Sequence, residues 1–525
     1  MTRPAGGGRQ VARVAAGILL TRILGFVRER VFAHYFGNGA AADAFRAALR
    51  IPNVIRNLLG EGTLSASFVP VYAALNARPD RSAARALAGA VLGLLLFGAG
   101  LLALCGIALA PTLATLVAPG FDPDTRRLTI TLLRILFPMA GLMVISAWCL
   151  GVLNTHGRFF LPYAAPALWN VAGIAALVAA AAWLVGPELP LAARLERLAL
   201  ALAWGTVAGA ILQVAVQLPA CWRLLAGSGW RLALRAEGLR DVLVAWTPVV
   251  IGAGFAQISG VVDTILGSLI GEGGVASLVY AQTLQVLPIS LFGVSVAAVA
   301  LPDLARDATG PPASDVLRAR LSVGFRRIAF FVVPSAFAFV GLGNVLIAAL
   351  FQTGRFGASD TRRVAGVLAA YGIGLLGAAS IKLLASGFYA LRDTRTPVAA
   401  NVAAVLLSTA LAIPLMRPLG AAGIALAASL GATLNLVAQF ALLDRRVGPV
   451  LGPPDRRALL LVGVAGLAAA GVGTGTASLA GGLAPIPLAA IACGLFGLTY
   501  GVITLVFRHP DAVRLWTSLR ISRAS

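Results

Sequence analysis

Charge is what this chain has least of. Only 12% of its 525 residues are Asp, Glu, Lys or Arg, about half the share of an ordinary soluble domain. Acids are scarcer still, 20 against 42 bases, and Lys382 is the only lysine. The four cysteines, Cys105, Cys149, Cys221 and Cys493, stand singly in or beside apolar segments, which excludes a disulfide framework and a paired-cysteine metal site. His34, His156 and His509 are far apart, and there is no P-loop, HExxH or nucleophile-elbow pattern. Without a carboxylate pair placed for acid–base work, an enzyme is not expected, nor is any cofactor or metal. A net charge of +22 would suggest nucleic acid in a soluble protein. Here the excess lies mostly in short loops between apolar segments, so no nucleic-acid partner is expected.

What the chain has is hydrophobicity: 59% of residues are apolar. About fourteen stretches long enough to cross some 30 Å of hydrocarbon recur from end to end, among them 11–35, 41–75, 126–154 and 485–507. The fold class expected is an all-α polytopic membrane protein. Arg22 and Arg28 interrupt the first apolar run and no small-residue cleavage pattern follows, so that run is not read as a cleavable signal. Alternate connections carry clusters such as Arg78, Arg81 and Arg85, or Arg445, Arg446, Arg456 and Arg457. The positive-inside rule then puts both termini in the cytoplasm.

The chain also repeats itself. RILGFVR at 22–28 resembles QISGVVD at 257–263, Pro52 answers Pro288, and Gln213 and Gln217 answer Asn435 and Gln439. Two parallel six-helix lobes follow, 1–224 and 241–446, joined by an amphipathic linker at 225–240. Residues 447–525 supply two further helices and a basic tail. Parallel repeats of this kind place substrate sites near the membrane midplane.

The energetic anomaly lies in the first two spans. Arg22, Arg28, Arg46, Arg50 and Arg56 face only Glu29, Asp43 and Glu61. An arginine at the bilayer centre costs roughly 3 kcal/mol, so a cluster this dense must face something polar inside the protein. Arg22 and Glu29 share a helix face, and Gly25 offers a bend that brings in Arg28. Asp43, Arg46 and Arg50 form one polar stripe, and Pro52 is expected to break the second helix before Arg56 and Glu61. The carboxylates can pair with arginines simply to hold two helices together. They are too few for the cations, and the surplus favours an anionic ligand, for which the guanidinium fork suits phosphate oxygens. In the second lobe Gln257 and Asp263 stand where Arg22 and Arg28 would be, and Gln282 and Gln285 lie in the region of Arg46 and Arg50. Asp263 reads either as a structural pairing or as a cation or proton site that couples transport.

At these residues the chain resembles a known family. TRILGFVRE (21–29), ADAF (42–45), RIPNVIR (50–56), EG (61–62) and FVP (68–70), with GVLN (151–154) and GFYALRDTRTP (387–397), are similar to the MurJ/MviN lipid II flippases, relatives of the MATE exporters. The resemblance spans essentially the whole chain. It implies a non-enzymatic transporter of the bacterial inner membrane that serves peptidoglycan and cell-wall biogenesis. Its substrate would be undecaprenyl-pyrophosphate-linked disaccharide-pentapeptide, moved outward by alternating access. Arg22, Arg28 and Arg56 inherit the family's important arginines, with Asp43 and Glu61 as acidic neighbours. Coupling to membrane potential or a monovalent cation is implied, as are membrane lipids and cell-wall synthesis proteins as partners. One carry-over fails: Thr283 stands where many members have an arginine. The alternatives are a polysaccharide-lipid flippase or a MATE-type cation-coupled antiporter, though the latter would prefer acids in the first lobe.

Overall fold

The computed structural model describes residues 7–186, 188–225, 235–297 and 313–524, the side chains of 7–13, 15, 61, 255–256, 313–314 and 518–524 excepted. Every regular element among the described residues is helical. In chain order the first are α1 (Gly7–Phe36), α2 (Ala40–Leu59), α3 (Glu61–Asn76), α4 (Ser82–Ala108) and α5 (Ala110–Val117). There follow α6 (Pro123–Thr155), α7 (Phe160–Ala164), α8 (Pro166–Trp183), α9 (Leu191–Leu224) and α10 (Leu239–Ser268). Next come α11 (Gly274–Pro288), which continues through a π-helical stretch (Ile289–Val294), then α12 (Ala313–Phe351), α13 (Ala358–Ile373), α14 (Leu375–Ala390) and α15 (Arg395–Leu419). The last are α16 (Ala421–Val447), α17 (Pro453–Leu479), α18 (Pro485–Val506) and α19 (Pro510–Ala524).

Twelve of the described helices or merged helix pairs are long and apolar enough to cross a membrane, or thirteen if α13 and α14, bent by 40°, form one span. α1 is not among them. At 30 residues it is about 45 Å long, but its charges lower its hydropathy.

By packing, the chain divides into two compact units, Met1–Val275 and Ala276–Ser525. The division falls after α10, so α10 packs with the first unit. Most of the expected 225–240 linker lies outside the described residues, but its end is docked on that unit. Glu237 accepts from Arg78 at 2.7 Å, and Gly238 takes a positive φ of 79° as α10 begins. There is no room for a side chain here, since an added Cβ would lie 2.8 Å from Val71.

Each unit has its own core. In the first, Trp148 is buried among Phe68, Tyr72 and Leu87 and donates its Nε1–H to Ala88 O at 3.1 Å. In the second, Phe330, Leu342, Val462 and Phe496 pack together, joining α12 to α17 and α18. Lipid tails are as apolar as these side chains, so helices in a membrane associate by close packing more than by water exclusion. The many glycines serve that end. At the start of α14, a Cβ added to Gly374, the residue before the helix, or to Gly377 within it would come within 2.7 Å of α16 backbone atoms at Ser429 or Ala432.

Both units bury amide side chains in their interiors. On α9, Gln217 Nε2 donates to Gln213 O at 2.9 Å. On α16, Gln439 Nε2 donates to Asn435 Oδ1 at 2.9 Å. The first bond ends on a backbone carbonyl and the second on a side-chain amide, so the residues matched by sequence are buried in both units but are not bonded alike.

Candidate functional site

One expectation about the second span is corrected. α2 runs unbroken through Pro52 to Leu59, and the chain breaks at Gly60, before α3. A membrane helix tolerates proline where neighbouring groups satisfy the freed carbonyl. At Gly60 the backbone folds so closely on the preceding turn that a Cβ would lie 2.2 Å from Arg56 O. The break therefore falls after Arg56, which stays on the helix that carries Arg46 and Arg50.

Arg22 and Arg28 on α1 and Arg56 on α2 line one cavity of about 650 Å³ in the first unit. α1 supplies a wall with a gap in it: an added Cβ at Gly25 would meet nothing within 4 Å. An adjoining wall comes from the broken helix α7/α8. Pro162 and Pro166 bracket the break, and Tyr163, Trp169 and Asn170 line the cavity beside it, with Gln213 of α9. Thr21 Oγ1 donates to Tyr163 O at 3.1 Å, fixing α1 against this wall.

Arg28 is held from two sides. Its guanidinium lies 4.3 Å over the Trp169 ring, and Nη2 is 2.8 Å from Glu29 Oε1. Glu29, 6% exposed, also binds Arg46 through both of its oxygens. Arg46 in turn sits 4.1 Å over the Phe32 ring. Arg28, Glu29, Arg46 and Trp169 border a small void of about 20 Å³, room for one water. Glu29 thus neutralises a buried cation and orients the cation that faces the cavity.

The other expected residues are placed differently. Asp43 is buried on α2 and accepts from Gly273 N at 2.6 Å. Nearby, Glu272 Oε1 accepts from Ala40 N at 3.1 Å. Arg50 is directed at α10, where its guanidinium fills the space beside Gly260. The side chain of Glu61 lies outside the described residues. Asp263 is half-buried on α10, and Gln257 of the same helix accepts from Asn57 at 3.2 Å. Thr283 donates to its own helix at Val279 O, 2.9 Å away, and Gln282 donates to Tyr371 Oη at 2.9 Å.

A family model described as "Lipid II flippase MurJ" matches residues 32–483. The chain belongs to the MurJ family. Among curated relatives, the lipid II flippase MurJ of Burkholderia cenocepacia is 37% identical over 445 residues, covering 83% of this chain and 84% of that one. The probable lipid II flippase MurJ of Rhizobium meliloti is 33% identical over 83% of this chain and 80% of its own. A solved lipid II flippase MurJ in an inward closed conformation shares the fold with a TM-score of 0.77 at 22% identity, over 94% of this chain and 98% of that one. An inward-facing MATE family multidrug transporter of the MOP superfamily matches with a TM-score of 0.62 at 15% identity, over 84% and 98%. The chain is accordingly a multi-pass membrane transporter and not an enzyme.

Of the residues lining this cavity, Arg22, Arg28 and Arg56 were singled out from the sequence, and Trp169 and Asn170 were not. The available signal was an asparagine beside a tryptophan inside an apolar run, PALWNVAG at 166–173. A polar side chain at membrane depth is a functional hint by default.

Proposed function

We propose that this chain moves lipid II from the cytoplasmic to the periplasmic leaflet of the bacterial inner membrane by alternating access, with both termini in the cytoplasm. The observation that carries the reading is the convergence of Arg22, Arg28 and Arg56 on one cavity. Three guanidinium forks supply donors without acceptors, the complement of a pyrophosphate, which supplies acceptors without donors. An antiporter of cationic drugs would be ill served by such a wall.

In this reading Arg28 is the principal pyrophosphate ligand. Arg22 and Arg56 complete the clamp, and Glu29 and Trp169 hold Arg28 in place. Arg46, Arg50 and Asp43 act one step away, through Glu29, Gly260 and Gly273, and Glu61 joins the acidic neighbours. The undecaprenyl tail stays in lipid. The membrane potential assists, since each charge crossing 100 mV is worth about 2.3 kcal/mol and an anion moving outward goes downhill. Asp263 is the candidate for binding a coupling cation.

Complementation of a flippase-depleted bacterium, with leaflet-specific labelling of lipid II, tests this. The wild-type chain restores exposure of lipid II at the periplasmic face, and Arg28→Ala abolishes it at unchanged protein level. Flipping that survived Arg28→Ala would sink the anion clamp. A polysaccharide-linked polyprenyl pyrophosphate run in parallel separates lipid II from its closest rival substrate.

A further inference from the structure

The cavity has two walls of opposite hydrogen-bonding character. On the α1/α2 wall Arg22, Arg28 and Arg56 offer donors alone. On the α8/α9 wall Trp169, Asn170 and Gln213 carry no charge. Asn170 and Gln213 are 3% and 2% exposed, and each donates from its amide nitrogen to the protein. Asn170 Nδ2 donates to Thr21 O and Pro166 O, both at 3.4 Å. Gln213 Nε2 donates to Ser146 Oγ at 2.8 Å. Their acceptors, Asn170 Oδ1 and Gln213 Oε1, have no hydrogen-bond partner, and neither does the Trp169 Nε1 donor. Buried polar atoms are nearly always satisfied, so such a group beside a cavity calls for a ligand.

A pyrophosphate cannot supply what these oxygens need, because it has acceptors only. Hydroxyl and amide N–H groups can. We infer that the α8/α9 wall is a sugar-recognition subsite, in which Asn170 and Gln213 accept from hydroxyl or amide groups of the sugar joined to the pyrophosphate and Trp169 Nε1 donates to one of its oxygens. Asn170 Oδ1 is buried as it stands, and its long 3.4 Å bonds leave the amide able to turn toward the cavity when a ligand enters. The open space at Gly25 gives the sugar clearance between the walls. The inference rests on the lipid II reading and assigns the orientation of that substrate, with phosphates toward α1/α2 and sugar toward α8/α9.

The test compares two soluble ligands on the full-length protein in nanodiscs: farnesyl pyrophosphate, and farnesyl pyrophosphate bearing the disaccharide. Wild type binds the sugar-bearing ligand more tightly. Asn170→Leu, which is isosteric and cannot accept, weakens that ligand about tenfold, one good hydrogen bond, and leaves farnesyl pyrophosphate unchanged. Gln213→Leu is the gentler second variant, because Ser146 keeps its bond from Gln217 Nε2 at 2.8 Å. Arg28→Ala weakens both ligands. If both leucine variants weaken the two ligands equally, or neither, the subsite is overturned while the clamp stands. Failure of wild type to bind either ligand overturns the lipid II reading itself.

Discussion

The guanidinium of Arg50 occupies the space that a side chain at Gly260 would need: a Cβ built there would lie 1.1 Å from Arg50 Nη2. α2 and α10 meet through this notch, and the fit links a charged residue of one helix to the absence of a side chain on the other. Gly260→Ala should push Arg50 out of its seat. The backbone need not move, because the obstruction is the end of a flexible side chain, but the packing of α2 on α10 loosens. Arg50→Ala should then relieve the defect. A double-mutant cycle read by thermal unfolding is expected to give a coupling of about 1 kcal/mol, within the range for residues in direct contact. Additive effects would show that Arg50 does not depend on the notch.

Glu29 should be more costly to remove than any single arginine of the cluster. It is the shared counterion of Arg28 and Arg46, and both Glu29 and Arg46 side chains are 8% exposed. Removing one member of a buried ion pair leaves an uncompensated charge, which costs about 3–5 kcal/mol. Glu29→Ala should therefore reduce the amount of folded protein in the membrane. Glu29→Gln keeps acceptor capacity and should retain more. If Glu29→Ala accumulates and unfolds like wild type, the network does not carry that weight.

How far the molecule could be read from its sequence differs between its parts. Helix limits were nearly explicit: spans expected at 126–154 and 485–507 are Pro123–Thr155 and Pro485–Val506. Apolar length is written directly in the chain because the bilayer demands it. Arg22, Arg28 and Arg56 were equally legible, since their cost in lipid marks them. The break assigned to Pro52 belongs to Gly60, because a backbone contact with Arg56 O decides it and no local propensity reports such a contact. Trp169 and Asn170 escaped notice for a related reason. They come from a helix more than 100 residues along the chain from α1 and meet the arginines only through tertiary packing.

Trp169 should act on Arg28 rather than on stability. A guanidinium stacked on an indole gains about 0.5–2 kcal/mol, and the gain here fixes the plane of the fork that faces the cavity. Trp169→Ala should weaken binding of farnesyl pyrophosphate about fivefold, and Trp169→Phe, which keeps a ring, should lose less. The order Trp, Phe, Ala is the discriminating readout. Equal losses for Phe and Ala would mean that the ring face does not hold Arg28.

His509 makes docking of the last helix sensitive to acid. It lies between α18 and α19, 1% exposed, with its ring stacked on Phe330 at 4.9 Å. Nδ1 accepts from Asp511 N at 3.2 Å and so caps the start of α19, a bond that needs the nitrogen unprotonated. The charged groups around it are Asp511 on α19, which binds Arg326 of α12 at 3.3 Å and Arg327 at 3.8 Å, and Asp455 of α17, 2.9 Å from Arg326. Burial pushes the His509 pKa below its ordinary value, the Arg326 charge adds to that, and Asp511 opposes it without reversing it. The unfolded chain therefore takes up a proton at this site at a higher pH than the folded protein does. The stabilisation is fully present above about pH 6.5, the ordinary histidine value, and fades as pH falls from there toward the lowered folded-state pKa. Protection from hydrogen exchange across 510–517, taken relative to the intrinsic rate at each pH, should be high at about pH 7.5 and lower at about pH 5.5. The acid-induced change should shrink in His509→Leu, which cannot titrate, even though that variant exchanges faster overall for want of the cap. Equal acid sensitivity in wild type and His509→Leu would place the titrating group elsewhere.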